Sequence, residues 1–344
     1  MRVTGSSFRG EVHERVAYKY ADGSPQIHKY GAWLVRRVPA LEIEGLTKAF
    51  GGLTAVDDLR LAVQRGEIYG FLGPNGAGKT TTIKMILGLT YPDRGRVRIG
   101  DRDLLEDPHA IKRRIGFLPE RVAFYNNLTA IQTLRFYAEL KRVEDGNLAG
   151  LLEAVGLQEF ADKKVGTFSK GMVQLLGVAQ AMIGEPDLLI LDEPTSGLDP
   201  NWTRMVKDRI REANGRGATV FFSSHILSEV QELAGRVGII SRGRLVAEDT
   251  VDNLGRSLNL KPRLGIVVEG SPADAAAALA GMGGVEAVEV RGTELWVTCD
   301  HDAKVRVLSR LEAAGVRVRD FRTEEPSLEE VFLRYTAGTR GAVR

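Results

Sequence analysis

The sequence predicts an α/β chain: a domain of alternating strands and helices on a largely parallel sheet, then a smaller α+β module. Three observations predict it. The string Gly73, Pro74, Asn75, Gly76, Ala77, Gly78, Lys79, Thr80, Thr81 stands between an apolar run at 68–72 and a helical pattern at 82–89. That strand–loop–helix setting is the one a phosphate-binding G-x-x-x-x-G-K-T loop requires. A second apolar run, 188–191, ends on two carboxylates, Asp192 and Glu193. After Asn259 the composition changes and the pattern becomes β-α-β-β-α-β, a ferredoxin-like order.

The whole-chain numbers bound the reading. With 344 residues and 43% hydrophobic content the chain can bury a large core in two domains. Lys and Arg total 47 against 45 Asp and Glu, a net charge of +2, so no nucleic-acid partner is expected. The single cysteine, Cys299, excludes an intrachain disulfide and suits a reducing compartment. No apolar stretch approaches the ~18 residues of a bilayer span. The expectation is a soluble protein that reaches a membrane only through another chain.

Along the chain, residues 1–40 lack sustained periodicity and carry scattered Gly, Ser and Tyr, which reads as a flexible extension. The first strand is expected at 41–45, with a partner at 59–63. Strand and helix patterns then alternate to about Leu254, giving a domain over 41–255. In the module at 262–336, strands are expected at 263–269, 285–290, 295–299 and 316–321. Helices are expected at 272–279, 303–314 and 327–335. No catalytic constellation is visible there, so the module reads as regulatory or as an assembly element.

The phosphate loop carries the chemistry. Its glycines let successive N–H groups turn inward around phosphate oxygens, and the following helix adds partial positive charge. Lys79 can reach the β- and γ-phosphates, and the Thr80 hydroxyl can ligate Mg²⁺. Asp192, at a strand end beside the loop, can hold the same ion, and Glu193 can polarise an attacking water. Adjacent carboxylates at a strand end are often only turn residues, but the loop upstream favours the functional reading. His225 follows a β-rich run at 218–222. Alone it would more often be structural; beside the loop it can orient the water through Glu193. Ser169, with Gly171, starts a helix about 20 residues before the carboxylate strand. By itself this is an ordinary N-cap, yet it also presents donors suited to an anion.

In order, these elements resemble the ATP-binding-cassette ATPases over roughly 41–255. Residues 73–80 look like the family's Walker A loop and 188–193 like its Walker B strand. Residues 169–174 resemble the signature motif, with Lys170 where the commonest form has a second glycine. Residues 196–200 resemble the D-loop, His225 the switch histidine, and Phe50 the aromatic that stacks on adenine. Glu120 stands where the family usually has a glutamine that serves the metal; ionised Glu can also accept Mg²⁺ but adds charge. The resemblance implies a P-loop NTPase fold of the ABC type, binding ATP and Mg²⁺. It also implies a head-to-tail dimer in which Ser169 and Gly171 of one copy complete the ATP site of the other, with a separate transmembrane permease as partner.

Residues 122–129, including Phe124 and Tyr125, lie where such cassettes receive the permease; the two aromatics could equally be core. The ending 325–332 resembles ABC-2-type exporter ATPases. Within that group, residues 118–125 and 167–172 look closest to the ATPase of the nitrous-oxide-reductase maturation transporter, a copper-linked system. Cys299 and His301 do not amount to a copper site. The expected place is the cytoplasmic face of the cell membrane. The alternatives are a non-transport cytosolic ABC ATPase that assembles clusters or complexes, and a regulatory nucleotide-binding module.

Overall fold

Alternation of buried and half-exposed residues over 41–44, at the start of Leu41–Phe50, is what an antiparallel strand with one covered face requires. The computed structural model describes residues 17–21, 24–28, 38–143 and 147–337. Of the expected extension at 1–40, only two short strands and residues 38–40 are among the described residues. These strands, β1 (Ala17–Ala21) and β2 (Ser24–His28), form an antiparallel pair of their own.

From Ala40 onward the chain is tied into one body, since the Ala40 N–H donates to the Val63 carbonyl over 2.9 Å. Strands β3 (Leu41–Phe50) and β4 (Leu53–Val63) pair antiparallel. The sequence reading ended β3 at Gly45. The strand instead continues past it, because Gly45 (φ 63°) sits where the register shifts, and a bulge lets pairing resume beyond. Next come β5 (Ile68–Leu72), α1 (Lys79–Ile86), β6 (Arg94–Ile99), β7 (Arg102–Asp103), α2 (Pro108–Arg113) and β8 (Ile115–Leu118). Three helices follow, α3 (Ala130–Lys141), α4 (Leu148–Ala154) and α5 (Lys170–Ala181). Strand–helix alternation then resumes with β9 (Leu188–Asp192), α6 (Pro200–Gly215), β10 (Thr219–Ser224), α7 (Leu227–Leu233), β11 (Arg236–Ser241), β12 (Arg244–Asp249) and α8 (Val251–Ser257).

The expected parallel sheet exists and has the order β12-β11-β5-β10-β9-β8, with only β12 antiparallel. A second sheet, β4-β3-β6-β7, is antiparallel; its β3–β4 pair is the one expected at 41–45 and 59–63, whereas β6 and β7 were not foreseen. The central strands are apolar on both faces because they separate two cores. Along β9, Leu188 and Ile190 join the core that includes Tyr69, Phe71 and Ile83, while Leu189 and Leu191 join the core under α3, α5 and α6. Tyr69 and Phe221 stack on neighbouring strands with ring centres 5.7 Å apart.

The C-terminal module has β13 (Arg263–Glu269), α9 (Pro272–Leu279), β14 (Val285–Arg291), β15 (Glu294–Cys299), α10 (Lys304–Ala313) and β16 (Arg317–Glu324). Its sheet order, β14-β15-β13-β16 with antiparallel neighbours, is that of a ferredoxin-like fold. The last helix, α11 (Leu328–Ala337), leaves this module and packs on the larger N-terminal domain. Leu328 and Val331 are fully buried in the core that contains Val230 and Leu254. The Leu328 N–H donates to Gln231 Oε1 over 3.0 Å.

Candidate functional site

Parallel pairing aligns the ends of the central strands. Leu72 of β5 lies opposite Ser224 of β10, and Ser223 opposite Asp192 of β9, so the loops that follow converge at one edge. That edge, at the carboxyl ends of the strands, is where open α/β sheets place ligands. The loop from β5 to α1 needs glycine at two points. A Cβ on Gly73 would stand 2.5 Å from the Ile240 carbonyl, and one on Gly78, at φ 110°, 2.5 Å from the Ala55 carbonyl. Gly78 is also the N-cap of α1, which is why the helix begins at Lys79, earlier than the pattern at 82–89 suggested.

Lys79 is buried and folds back over the loop. Its Nζ donates to the Gly73 carbonyl over 2.7 Å and lies 3.9 Å from Glu193 Oε1. Burial pulls its pKa down, while Glu193 and Asp192 pull it up. An open cleft of ≈ 1430 Å³, its solvent-filled mouth included, runs along the loop from Pro74 to Thr81. Leu53, Thr54, Ala55 and Arg242 line it, as do Glu120, Glu193, Ser196 and His225.

Asp192 is buried and accepts a hydrogen bond from Ser223 Oγ at 2.5 Å. Burial raises its pKa; hydrogen bonds from Ser223 and Thr80 oppose this, and the charges of Glu120 and Glu193 raise it further. The Asp192 carboxylate and the Thr80 hydroxyl thus meet at one corner, within reach of the charges of Glu120 and Glu193. Such a set of hard oxygen donors with excess negative charge fits a Mg²⁺ ion. Thr80 and Asp192, with Glu120 at the rim, would hold it; bound there, the ion neutralises phosphate charge.

Glu193 has φ 51°, an uncommon backbone state for a residue with a side chain. The conformation is fastened by its N–H, which is shared between the carbonyl and the hydroxyl of Ser223, each at 3.2 Å. His225 donates to Glu193 Oε2 twice, from Nδ1 over 2.8 Å and from the backbone N–H over 3.3 Å. Thr195 donates to Glu229 on α7, which ties the segment after Glu193 to the helix after His225.

Not every expected residue reaches this cleft. Ser169 is the N-cap of α5, its Oγ accepting from the Met172 N–H over 3.3 Å, so the modest reading of that serine holds in the single chain. Neither Ser169 nor Gly171 lines the cleft. Their helix is joined to the carboxylate strand by Gln174, whose Nε2 donates to the Pro194 carbonyl over 3.1 Å. Phe50 is exposed at the tip of the β3–β4 hairpin, opposite Leu53, which does line the cleft. Asp93 steadies that tip through Lys48 and the Ala49 N–H, each at 2.8 Å. The two aromatics at 124–125 divide: Phe124 packs against Tyr137, while Tyr125 is 61% exposed. Sequence reasoning gave no role to Ser223 or Arg242. Ser223 was visible only as a polar residue before His225, and Arg242 only as part of a turn.

A glycine-shaped phosphate loop, a magnesium-fit carboxylate and a second carboxylate locked to a histidine define a P-loop ATPase of the ATP-binding-cassette class. Comparison with known proteins agrees. Residues 56–196 match the ABC transporter family, and residues 260–336 match the C-terminal domain of DrrA1-3-like ATP-binding proteins. The linearmycin resistance ATP-binding protein LnrL of Bacillus subtilis is 34% identical over 87% of this chain and 99% of its own length. The daunorubicin resistance ATP-binding protein DrrA3 of Streptomyces coeruleorubidus is 35% identical over 88% and 97%. The bacitracin transport ATP-binding protein BcrA of Bacillus licheniformis is 47% identical over 61% and 69%. Among solved structures, an ATP-binding subunit of an ABC transporter superposes with TM-score 0.61 at 32% identity, over 64% of this chain and 94% of that one. A dimeric bacterial ABC transporter cassette superposes with TM-score 0.55 at 25% identity, over 61% and 98%. The chain belongs to the ATP-binding proteins of ABC transporters, in the group that carries a DrrA-like C-terminal domain.

Membership makes it an ATPase coupled to transport, which uses ATP with Mg²⁺ and works with a permease and as a dimer. The expectation of an ABC-2-type exporter ATPase is borne out. The copper-linked subgroup gains no support: the relatives above carry resistance or antibiotic-transport names, and Cys299 is buried in the core of the C-terminal module.

Proposed function

We propose that this chain powers the export of antibiotic-type small molecules by hydrolysing ATP between two of its own copies, docked on separate permease chains at the cytoplasmic face of the membrane. Among the described residues no helix is long and apolar enough to cross a membrane, so the proposed attachment is through the permease. The compound class rests on the relatives, which are named for linearmycin resistance, daunorubicin resistance and bacitracin transport.

In this reading the backbone of residues 73–81 and Lys79 cradle the phosphates, and Phe50 covers the adenine. Thr80 and Asp192 hold Mg²⁺, with Glu120 contributing at the rim. Glu193 takes the proton of the attacking water, and His225 keeps its carboxylate aimed. Lys79, buried at 3.9 Å from Glu193, holds charge against that carboxylate until a phosphate competes for it. The observation that supports the dimer is the separation within one chain: Ser169 caps its helix outside the cleft, which leaves that side of the cleft for the Ser169 and Gly171 of a second copy in this reading. Tyr125, exposed beside the cleft-lining Glu120 segment, offers the permease an apolar contact.

Purification of the tagged chain from native membranes tests the transport role. A multi-helix permease should co-purify, and permease and ATP together should support Mg²⁺-dependent hydrolysis. Recovery with ribosomes or a soluble assembly scaffold would instead favour the non-transport ATPase.

A further inference from the structure

Arg242 occupies a backbone position that arginine does not favour. Ser241 and Arg244 pair across a two-residue turn whose central residues, Arg242 and Gly243, have φ of 50° and 79°. Positive φ at both places is the type I′ hairpin turn, for which Asn-Gly is the preferred sequence. A non-glycine residue held in this region costs free energy, and such costs concentrate where a side chain has work to do.

The turn is fastened to the phosphate loop. The Gly243 N–H donates to the Ala77 carbonyl over 2.9 Å, and the Asp57 N–H donates to the Gly243 carbonyl over 2.9 Å. The next arginine, Arg244, is occupied: its guanidinium meets Asp57 at 2.5 and 2.8 Å. Arg242 differs. It is exposed, lines the cleft, and has no ion pair among the described residues.

Strand order says which part of a bound nucleotide it faces. In the sheet, β11 lies on one side of β5, while β10, β9 and β8 lie on the other. The phosphate loop follows β5. Glu193, His225 and Glu120 therefore flank it from the β10 side, and Arg242 from the opposite side, next to Ala55 and Thr54 of the β3–β4 hairpin. Glu193 belongs at the γ-phosphate, where the water attacks, so Arg242 faces the other end of the molecule. A guanidinium there offers paired N–H donors to phosphate or ribose oxygens.

We propose that Arg242 is a nucleotide-binding residue that holds the ribose–α-phosphate end of ATP, resting on the assignment of this cleft to ATP. Because that end is common to ATP and ADP, Arg242 acts on both nucleotides alike and leaves the chemical step to Glu193.

The experiment compares Arg242→Asn and Arg242→Lys with the wild-type full chain, using fluorescent ATP and ADP analogues for binding and steady-state hydrolysis with the permease present. Asn suits the turn, so the nucleotide-free stability of that variant should hold or rise. Its dissociation constants for both nucleotides should nevertheless increase together, roughly tenfold, as loss of one charge-assisted contact implies. KM should rise while kcat stays within about twofold, and Lys should recover part of the affinity. Unchanged affinity in Arg242→Asn overturns the proposal, as does a loss confined to ATP, which would move the cation to the γ-phosphate. Failure of the wild-type chain to bind either nucleotide would overturn the cleft assignment along with it.

Discussion

Glu193 Oε2 receives two hydrogen bonds from one residue, His225, from Nδ1 at 2.8 Å and from the backbone at 3.3 Å. The pair spans two neighbouring strand ends, and Ser223 fixes both by binding Asp192 and the Glu193 N–H. A carboxylate so held keeps one orientation, and in the proposed reading that orientation aims it at the attacking water. His225→Ala should therefore lower kcat by about 10² or more while ATP affinity stays near wild type. Single-turnover hydrolysis beside equilibrium ATP binding checks this, and a loss of affinity without loss of rate would assign His225 to binding.

Ser223 is fully buried and donates to a buried carboxylate. Removing a hydrogen bond to a charged group in the interior costs about 1.5–3 kcal/mol. Ser223→Ala should lose stability on that order in urea unfolding and should need more Mg²⁺ for half-maximal hydrolysis. Unaltered Mg²⁺ dependence would separate Asp192 from the metal.

Lys141 gives a pH signature away from the cleft. Burial pulls its pKa from 10.5 to about 8, with Nζ donating to the Ile183 carbonyl over 3.0 Å. Between those values the unfolded chain binds more protons than the folded one, so this residue makes stability rise as pH climbs from about 8. The rise should be missing in Lys141→Met. Urea midpoints at pH 7.5 and pH ~9.5, compared between the two proteins, measure it; parallel profiles would refute it.

Helix α11 makes the C-terminal module part of the ATPase core. Leu328→Ala removes a fully buried side chain and should cost about 2–5 kcal/mol. Calorimetry should show the module and the ATPase domain unfolding together in the wild type and separating in the variant. A wild type with two independent transitions would show that α11 does not join them.

Much of this was legible in the sequence, for physical reasons that can be named. The phosphate loop announces itself because Gly73 and Gly78 admit no Cβ, and β9 because a strand between two cores must be apolar at every place. The βαββαβ module followed from periodicity, although β16 runs to Glu324 on an exposed edge where alternation gives no signal. Of the antiparallel sheet β4-β3-β6-β7, the pairing of 41–45 with 59–63 was expected, but its extent was missed because a bulge at Gly45 breaks the period of two. Ser223 and Arg242 were missed because their roles depend on register and turn geometry, which join residues far apart in sequence. Ser169 was legible as the N-cap of α5, whereas its expected contact with nucleotide would belong to another copy.

The most direct test is the mass of Glu193→Gln by light scattering in saturating MgATP. With hydrolysis blocked and the phosphate bridge intact, the variant should run at twice the monomer mass with ATP and return to the monomer when nucleotide is removed. Adding Ser169→Arg to the same chain should leave it monomeric. A Glu193→Gln protein that stays monomeric with MgATP, even with its permease supplied, would contradict the shared site.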